Sequence, residues 1–353
     1  MNPEILNLLA CPLTRQPLTI EPIDDENIPS HWTTIGARHG LGKPVNALVA
    51  SDGSVRYPVW SDVIGLLPEF AVRPDVSAAS VQRSEKKNVA RFYDEFGWLD
   101  GGDGNFNDAL AFEDLRDVTA FYRDRCHRRV NRQLPGGNYL LDVASGAVQI
   151  PAYRSFSEHY AKRICVDLSL TGLRAAKQRL GDHAVCIAGD ITRLPLRDGA
   201  IDSVVSLHTL YHVPADEQAT AVAELYRVTR PGGRIVIVSS WGASSLLHRA
   251  WVWAAARLPQ GASEQHSIAL PTNVDLYFSP QDYAWYRREI APRYASRLRI
   301  WRSVGKEFMQ RFVHGRISAW LLLGPLLMFE SIAPRLAGRI GVCPMFVIDK
   351  PRG

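Results

Sequence analysis

Three carboxylates that follow short apolar segments are the residues of this sequence best suited to chemistry. Asp142 and Asp167 end two such segments, and Asp190 follows Gly189 after a third. Because the carboxyl ends of parallel strands border one crevice of an open sheet, we expect these side chains to lie close together. Asp167 is placed to accept hydrogen bonds from both hydroxyls of a ribose, and Asp190 to receive an exocyclic amine. The alternative is that each acid is a solvated turn residue or a helix cap, and it is the order of the three along the chain that favours a ligand crevice.

A segment with two histidines follows a fourth apolar segment and supplies candidates for catalysis. His208, Tyr211 and His212 come directly after residues 201–207. A histidine has an ordinary pKa of roughly 6.5 and can therefore accept a proton near neutral pH. The alternative is that these side chains pack, cap a helix or shape a pocket. The H-x-x-x-H spacing offers no third ligand, so no metal site is predicted.

The elements that must position these residues alternate between strands and helices. Strands are predicted at 139–143, 164–167, 185–188, 201–207, 234–239, 297–304 and 345–349. Helices are predicted at 171–180 and 216–229, and helical sequence at 306–337. An amphipathic helix is predicted earlier, at 113–132. Strands separated by helices of this length imply right-handed crossovers and a mainly parallel, doubly wound α/β sheet.

Residues 88–240 resemble the class I S-adenosylmethionine-dependent methyltransferases, particularly the branch with the ubiquinone and menaquinone C-methyltransferases. The motifs that carry the resemblance are LLDVASGA, ICVDLSLTGLRAA, GDITRLPLRDGAIDSVVSLHTLYHV and ELYRVTRPGGRIVIV. The resemblance implies a Rossmann-like sheet of seven strands with the last strand antiparallel. It also implies S-adenosyl-L-methionine as the cofactor and S-adenosyl-L-homocysteine as the product.

The resemblance also assigns residues to the cofactor. Asp142 would contact its methionine end, Asp167 its ribose and Asp190 its adenine, while Tyr93 would close over it from the segment FYDEFGW. The full set that it implies is Tyr93, Asp142, Ala144, Ser145, Gly146, Asp167, Leu168, Asp190, Ile191, Leu207 and His208.

The loop after the first strand departs from the family pattern. Small residues at 144–147 let backbone N–H groups approach a ligand closely. The family has three glycines in G-x-G-x-G, whereas the matching positions here hold Ala144, Gly146 and Val148. Valine cannot adopt a positive φ without strain, so the sequence leaves the geometry of the second half of the loop open. A dinucleotide pyrophosphate needs a glycine-rich turn, so the same departure disfavours a nicotinamide enzyme.

Three regions are expected along the chain. Residues 1–72 form a small domain that resembles, through ILNLLACPLTRQPL and DGSVRYPVWSDVIGLLPE, a zinc-ribbon-like methyltransferase activator. The paired cysteines of that family are missing here, so we expect a degenerate domain held by packing. Residues 73–135 are a linker and N-terminal helices that cover the cofactor. Residues 136–353 are the cofactor-binding methyltransferase domain, with helical substrate or lid insertions at about 241–295 and 305–338.

Composition and charge fit a soluble globular protein with one basic region. Hydrophobic residues make up 46% and charged residues 22%, which excludes extensive disorder. Five scattered cysteines and an N-terminus unlike a secretory signal favour a cytoplasmic protein. The net charge is +5, yet residues 287–316 alone hold nine basic and two acidic residues. The longest apolar stretch, 319–329, is shorter than the roughly 20 residues that span a membrane.

These features lead to one expected function and two alternatives. We expect in-line transfer of a methyl group from S-adenosyl-L-methionine to the oxygen or carbon of a small-molecule or lipid-linked acceptor. The basic stretch beside an apolar helix suggests an anionic or amphipathic acceptor, or peripheral contact with an anionic membrane surface. The alternatives are an RNA methyltransferase, disfavoured because SLHTLYHVP replaces an N-P-P-[YF] sequence, and a non-catalytic scaffold protein.

Overall fold

One large sheet organises the protein. The computed structural model describes residues 2–73, 82–102, 104–257, 270–271 and 275–352. In chain order the strands are β1 (Leu18–Pro22), β2 (Asn46–Ala50), β3 (Arg56–Val59), β4 (Ile64–Gly65), β5 (Asp100–Gly102), β6 (Asn105–Phe106), β7 (Gly137–Val143), β8 (Tyr160–Asp167), β9 (Ala184–Ala188), β10 (Ile201–Leu207), β11 (Thr229–Val238), β12 (Ser296–Arg302) and β13 (Cys343–Asp349). All of them except the hairpin β5–β6 belong to one sheet of eleven strands.

Helices cover both faces of this sheet and its carboxyl edge. They are α1 (Pro3–Leu6), α2 (Ser30–Arg38), α3 (Ser84–Phe92), α4 (Asn107–Phe112), α5 (Asp117–Asn131), α6 (Pro151–Arg154), α7 (Leu170–Leu180), α8 (Gln218–Val228), α9 (Leu246–Ala255), α10 (Tyr283–Trp285), α11 (Lys306–Phe312), α12 (Arg316–Ile332) and α13 (Pro334–Ile340). Single π-helical turns follow α3 and α10, at Tyr93–Gly97 and Tyr286–Ile290.

The order of the strands confirms the predicted fold class. Seven consecutive strands of the sheet run in the order β9-β8-β7-β10-β11-β13-β12, and the first five of these pair in parallel. The last strand, β13, is antiparallel to both β11 and β12. This is the doubly wound α/β arrangement with an antiparallel last strand that the sequence predicts.

The central strands lie in register and are buried on both faces. Leu141 of β7 stands opposite Ile164 of β8 and Val204 of β10, and all three side chains are fully buried. Burial on both faces explains why these strands are continuous apolar runs rather than alternating ones. The carboxyl ends of β7–β10 are thereby held together at one edge, where the chemically active side chains begin.

Helix α7 shows how local sequence builds a layer of this fold. Ser169 caps it, because its Oγ accepts a hydrogen bond of 2.9 Å from the backbone N–H of Gly172. Leu170, Leu173 and Ala176 recur at helical spacing and are buried against the sheet. The capping residue, Ser169, lies two residues after the end of β8, and α7 begins at the next residue. The end of β8 therefore lies beside the N-terminus of α7.

The N-terminal strands extend the same sheet. Strand β4 pairs in parallel with β9, with Ile64 opposite Ile187 and Gly65 opposite Ala188. Cys11 is fully buried, and its thiol lies 3.5 Å from the hydroxyl of Tyr57. Side chains of this region share one apolar cluster with side chains of β7–β10. Among the described residues, no three His, Cys, Asp or Glu side chains are grouped to hold a metal ion. The boundary at residue 72 stays a prediction.

The C-terminal half differs from the expectations in its boundaries. The amphipathic helix expected from residue 113 begins four residues later, as α5. The two late strands appear as β12 and β13, with α11, α12 and α13 between them. Helix α9 fills part of the expected insertion at 241–295, and residues 258–269 and 272–274 of that insertion lie outside the described residues.

Candidate functional site

A cavity of about 560 Å³ opens at the carboxyl ends of β7–β10. It is lined by every residue that the sequence assigns to cofactor or catalysis except Gly146: Tyr93, Asp142, Ala144, Ser145, Asp167, Leu168, Asp190, Ile191, Leu207, His208, Tyr211 and His212. The structure therefore brings together side chains that are up to about 120 residues apart in the chain. A volume of this order is typical of cavities that bind small molecules.

The loop after β7 keeps alternating left-handed residues without three glycines. Ala144, Gly146 and Val148 have φ angles of 55°, 51° and 48°. A non-glycine residue in this region stores about 1–2 kcal/mol of strain, and the cost is greatest for a β-branched side chain. Val148 is fully buried in an apolar cluster, which helps to offset that cost. The geometry that the sequence left open is thus a strained version of the glycine-rich loop.

Asp167 receives two backbone hydrogen bonds at the end of β8. Its Oδ2 accepts one of 2.7 Å from the N–H of Gly146, and its Oδ1 accepts one of 2.8 Å from the N–H of Ser169. Burial raises the pKa of Asp167 to about 6, against the effect of these two donors. The carboxylate is fixed in place and keeps lone pairs for a ligand.

The other two carboxylates are each held by a buried cation. Both Nε and Nη2 of Arg163 bond the same oxygen, Oδ2, of Asp142. Lys86 Nζ lies 2.7 Å from Asp190 Oδ2, while Asp190 Oδ1 accepts hydrogen bonds from the N–H and hydroxyl of Thr192. Sequence reasoning missed Arg163 and Lys86, because they lie on an ordinary strand and in a polar segment without a motif.

An aromatic wall closes one side of the cavity. Tyr93 stacks on Trp98 with ring centroids 5.1 Å apart, and Tyr93 lies in the π-helical turn after α3. A Cβ at Gly146 would lie 2.2 Å from the ring of Trp98, so only glycine fits beneath this tryptophan. Burial raises the pKa of Tyr93 well above its ordinary value. The tyrosine is therefore a neutral hydroxyl facing the cavity.

His212 presents one ring nitrogen as a hydrogen-bond acceptor. Its Nδ1 lies 2.7 Å from the carbonyl oxygen of Tyr277, which can only accept, so Nδ1 carries the proton. The lone pair is then on Nε2, which lies 3.5 Å from the hydroxyl of Tyr93. Burial lowers the pKa of His212 to about 4, so the ring is neutral at physiological pH.

His208 sits deeper, in a strained backbone conformation. Its φ is 58°, and its ring meets the ring of Trp301 edge-on with centroids 4.5 Å apart. Burial, and next the charge of Arg302, lower the pKa of His208 to about 3. Its Nε2 is buried and has no hydrogen-bond partner among the described residues. A buried polar nitrogen without a partner is costly and marks a position where a ligand can donate.

A polar cluster on the covering helices also borders the cavity, and sequence reasoning missed it. Glu113 pairs with Arg302 at 2.6 Å. Burial raises the pKa of Glu113, but the charges of Arg302 and His208 outweigh burial, so the pKa is lowered overall. Burial raises the pKa of Asp108 to about 7, and the side chain of Gln149 bonds this carboxyl. These residues come from α4, its C-terminal end and the end of β12, segments whose sequence contains no recognisable motif.

The mouth of the cavity is apolar. Three of the side chains that line it are also largely exposed and therefore mark its opening: Phe112, Leu270 and Phe278. Phe278 packs against Tyr211, with ring centroids 5.0 Å apart. A polar interior reached through an apolar opening suits a molecule with an apolar body and one reactive polar group.

The residues present fit a sulfonium nucleoside, and comparison with known proteins supports this class. Residues 141–237 match the family model described as a methyltransferase domain. The strand order agrees with this match, and S-adenosyl-L-methionine is the cofactor that the match indicates. The predicted fold class is confirmed.

The relatives that match cover only part of this chain. A demethylmenaquinone methyltransferase of Beutenbergia cavernae is 35% identical over 139 residues, which cover 38% of this chain and 55% of the relative. A ubiquinone/menaquinone biosynthesis C-methyltransferase of Desulfotalea psychrophila is 34% identical over 110 residues, 30% of this chain and 43% of the relative. The chain thus spans about half the length of the curated relatives it matches.

The solved structures that match this chain include a geranyl diphosphate C-methyltransferase of Streptomyces coelicolor A3(2). It is 15% identical, with a TM-score of 0.44 covering 78% of this chain and 100% of that one.

Proposed function

We propose that this protein transfers a methyl group from S-adenosyl-L-methionine to an apolar small-molecule or lipid-linked acceptor, at oxygen or carbon. The observation that carries the proposal is that Asp142, Asp167 and Asp190, from three neighbouring strands, line one cavity. A nucleoside with a charged amino-acid tail needs such separated polar contacts along its length. The names of the two quinone-biosynthesis relatives agree with an apolar acceptor.

The cofactor side of the cavity has a group for each part of S-adenosyl-L-methionine. Asp167 would accept hydrogen bonds from the ribose hydroxyls, and Ile191 with Asp190 would hold the adenine. Asp142 and the backbone of 144–146 would contact the methionine end. Tyr93, with Leu168 and Leu207, would enclose the nucleoside. When bound, the sulfonium supplies an electrophilic methyl group.

The acceptor side holds the groups that orient the acceptor and take its proton. His212 Nε2 is an acceptor aimed near the hydroxyl of Tyr93, and His208 Nε2 lacks a partner within the described residues. Asp108, with a pKa of about 7, is better matched to proton removal near neutral pH than either histidine. We therefore assign Asp108 as the base, and His208, Tyr211 and His212 as groups that bind and orient the acceptor.

The positioning of the acceptor next to the methyl group accounts for most of the expected acceleration of the reaction. Holding the acceptor atom in line with the methyl group is worth up to about 7–11 kcal/mol of the barrier. An apolar acceptor seated against Phe112 and Phe278 would displace water from the mouth of the cavity. Nothing in the comparisons favours the RNA or scaffold alternatives.

Transfer of tritium from methyl-labelled cofactor tests this proposal. Purified protein is incubated with the labelled cofactor and with lipid, small-molecule and RNA fractions of cells, and Asp167→Asn serves as the inactive control. Label in the lipid or small-molecule fraction that depends on Asp167 supports the proposal. Label only in RNA, or no label despite measured cofactor binding, contradicts it.

A further inference from the structure

Helix α12 is apolar on two opposite faces, and only one of them is covered. Ala319 and Leu323 lie on the inner face and are buried. The opposite face is a row of exposed side chains at helical spacing: Ile317 (78% exposed), Trp320 (74%), Leu321 (62%), Met328 (63%) and Ile332 (75%). Single exposed apolar side chains are ordinary, but a row of five on one helix face marks a binding surface.

Arginines precede and follow this row in the chain, and the row itself has no exposed carboxylate. Arg316 begins α12, and Arg335 and Arg339 lie on α13; all three are exposed, and none pairs with a carboxylate of the described residues. Arg335 and Arg339 also line a second cavity, where the guanidinium of Arg339 lies 4.8 Å from the centre of the Tyr283 ring. Between residues 308 and 341 the sequence has a single acid, Glu330. That carboxylate is buried and pairs with Arg129 at 2.6 Å. The exposed surface of α12 and α13 therefore combines an apolar helix face with three arginines and no exposed carboxylate.

The row has almost nothing to offer a protein partner by way of hydrogen bonds. Apart from Glu330 and the indole N–H of Trp320, the polar side chains of 317–332 are Ser318 and Ser331, and both bond within the protein. Ser318 Oγ donates to Gly315 O at 3.0 Å, and Ser331 Oγ donates to Leu327 O at 2.7 Å. Protein interfaces carry about one hydrogen bond per 100–200 Å², whereas acyl chains need none.

The length of the helix fits a position in the plane of a membrane. In the described part of the chain no lone helix meets the length and hydropathy needed to cross a bilayer, and α12 with α13 does so only as a pair bent by 117°. A helix with an exposed apolar face, a large tryptophan and flanking arginines is typical of interfacial binding. Helix α9 presents a second such pair, because Arg257 lies over the exposed ring of Trp253 at 3.6 Å.

We propose that α12 and α13 form a docking surface for an anionic phospholipid bilayer. The row Ile317, Trp320, Leu321, Met328 and Ile332 enters the acyl boundary, and Arg316, Arg335 and Arg339 contact the lipid phosphates. This proposal stands independently of methyl transfer, because it concerns a surface outside the cavity.

The proposed docking surface is connected to the cavity through α11. Three residues separate the end of α11 from the start of α12. The first residues of α11, Lys306 and Glu307, line the cavity. Trp251 of α9 packs on Phe308 of the same helix, with ring centroids 6.0 Å apart. The surface is thus joined to the acceptor side of the site by a single short helix.

Vesicle co-sedimentation of the full chain, without cofactor, tests the surface. The probes are phosphatidylcholine vesicles and vesicles that also contain phosphatidylglycerol, each at low and high salt. We expect binding to the anionic vesicles that weakens with salt, because arginine contacts with phosphates are screened. Binding should not require S-adenosyl-L-homocysteine, so failure of the proposed transfer would leave this result unchanged.

Two sets of variants separate the apolar and the cationic contributions. Trp320→Ser with Met328→Ser removes apolar contact, and we expect at least tenfold weaker binding. Arg335→Gln with Arg339→Gln should weaken binding to anionic vesicles about fivefold for each arginine. The matched controls are Val45→Ser, at another exposed aliphatic residue, and Arg132→Gln, at another exposed arginine.

The substituted side chains are all exposed, so we expect the variants to fold with an intact core. Loss of vesicle binding in the α12 and α13 variants, with controls unchanged and identical thermal melting, supports the surface. No binding of the unaltered chain to anionic vesicles overturns it. So does binding that survives the variants, or a dimer in sedimentation velocity that Trp320→Ser dissociates, since a second copy would then cover the face.

Discussion

Lys86 joins the helix that covers the cavity to the strand end beneath it. Its ammonium lies 2.7 Å from Asp190 Oδ2 and 2.5 Å from Glu217 Oε2, and the lysine is buried. Lys86 belongs to α3, whereas Asp190 follows β9 and Glu217 precedes α8. One side chain therefore holds three elements together at the Asp190 side of the cavity.

Replacement of this lysine should loosen the cover of the site. Lys86→Met leaves the buried carboxylate of Asp190 without its cation, which costs about 3–5 kcal/mol for a buried pair, whereas the half-buried Glu217 keeps its contact with Arg83. We expect a lower free energy of unfolding in urea and weaker binding of S-adenosyl-L-homocysteine by calorimetry. Lys87→Met, at the exposed neighbour on the same helix, is the control. Equal effects of the two substitutions would contradict the role given to Lys86.

Removal of the charge on Asp167 should weaken cofactor binding. Asp167→Asn keeps the shape of the side chain but replaces one acceptor oxygen by a donor. Hydrogen bonds to a charged group are worth about 1.5–3 kcal/mol each, so we expect at least tenfold lower affinity for S-adenosyl-L-homocysteine. Asp182→Asn, at a fully exposed carboxylate, is the control. Unchanged affinity in Asp167→Asn would place the nucleoside elsewhere.

The same carboxyl should make binding depend on pH. The pKa of Asp167 is raised to about 6, so the group is protonated in the free protein below that pH and cannot accept a ribose hydrogen bond from its protonated oxygen. We expect affinity to rise as pH increases through about 6. Stability of the free protein should change in the opposite sense, falling as pH rises from the unfolded value of about 3.9 toward 6, because the folded state binds the proton more tightly. A flat binding profile for the unaltered chain would disagree.

The pH dependence of turnover should identify the base. If Asp108 takes the proton, kcat rises with pH through about 7, the pKa to which burial raises this carboxyl. Asp108→Asn should lower kcat about a hundredfold and remove that inflection, with cofactor affinity unchanged. His212→Gln should lower kcat but keep the inflection, because the pKa of His212 is lowered to about 4. An inflection that is lost only in His212→Gln would give the role to the histidine instead.

Relief of backbone strain in the loop after β7 should stabilise the fold. Ala144 has a φ of 55° and is only half-buried. Ala144→Gly therefore removes about 1–2 kcal/mol of left-handed strain, against about 0.5–1 kcal/mol of extra entropy in the unfolded chain. We expect an unchanged or higher melting temperature. The same substitution at Ala175, inside α7, should lower stability by about 1 kcal/mol. A similar loss at both positions would show that the loop is not strained.

The parallel core of the fold and the convergence of three carboxylates on one cavity were predictable because their signals are local. Apolar runs of strand length, each followed by a helix of sufficient length, permit few topologies. Asp142, Asp167 and Asp190 end such runs, so their convergence follows once the strands are parallel. The conformation of the loop after β7 was harder to predict. The sequence shows that Val148 disfavours a positive φ, but it does not show that packing of the buried valine side chain offsets the strain.

The sequence alone determined that the sheet is mainly parallel and that Asp142, Asp167 and Asp190 meet, since both depend on periodicity and on position along each strand. Only the tertiary structure decided which cations and acids complete the site. Lys86, Asp108 and Arg302 come from distant segments, and their chemistry arises from burial that no local pattern records. The same holds for α12: a helix that is apolar on two faces does not reveal which face the protein covers, because that depends on what packs against it.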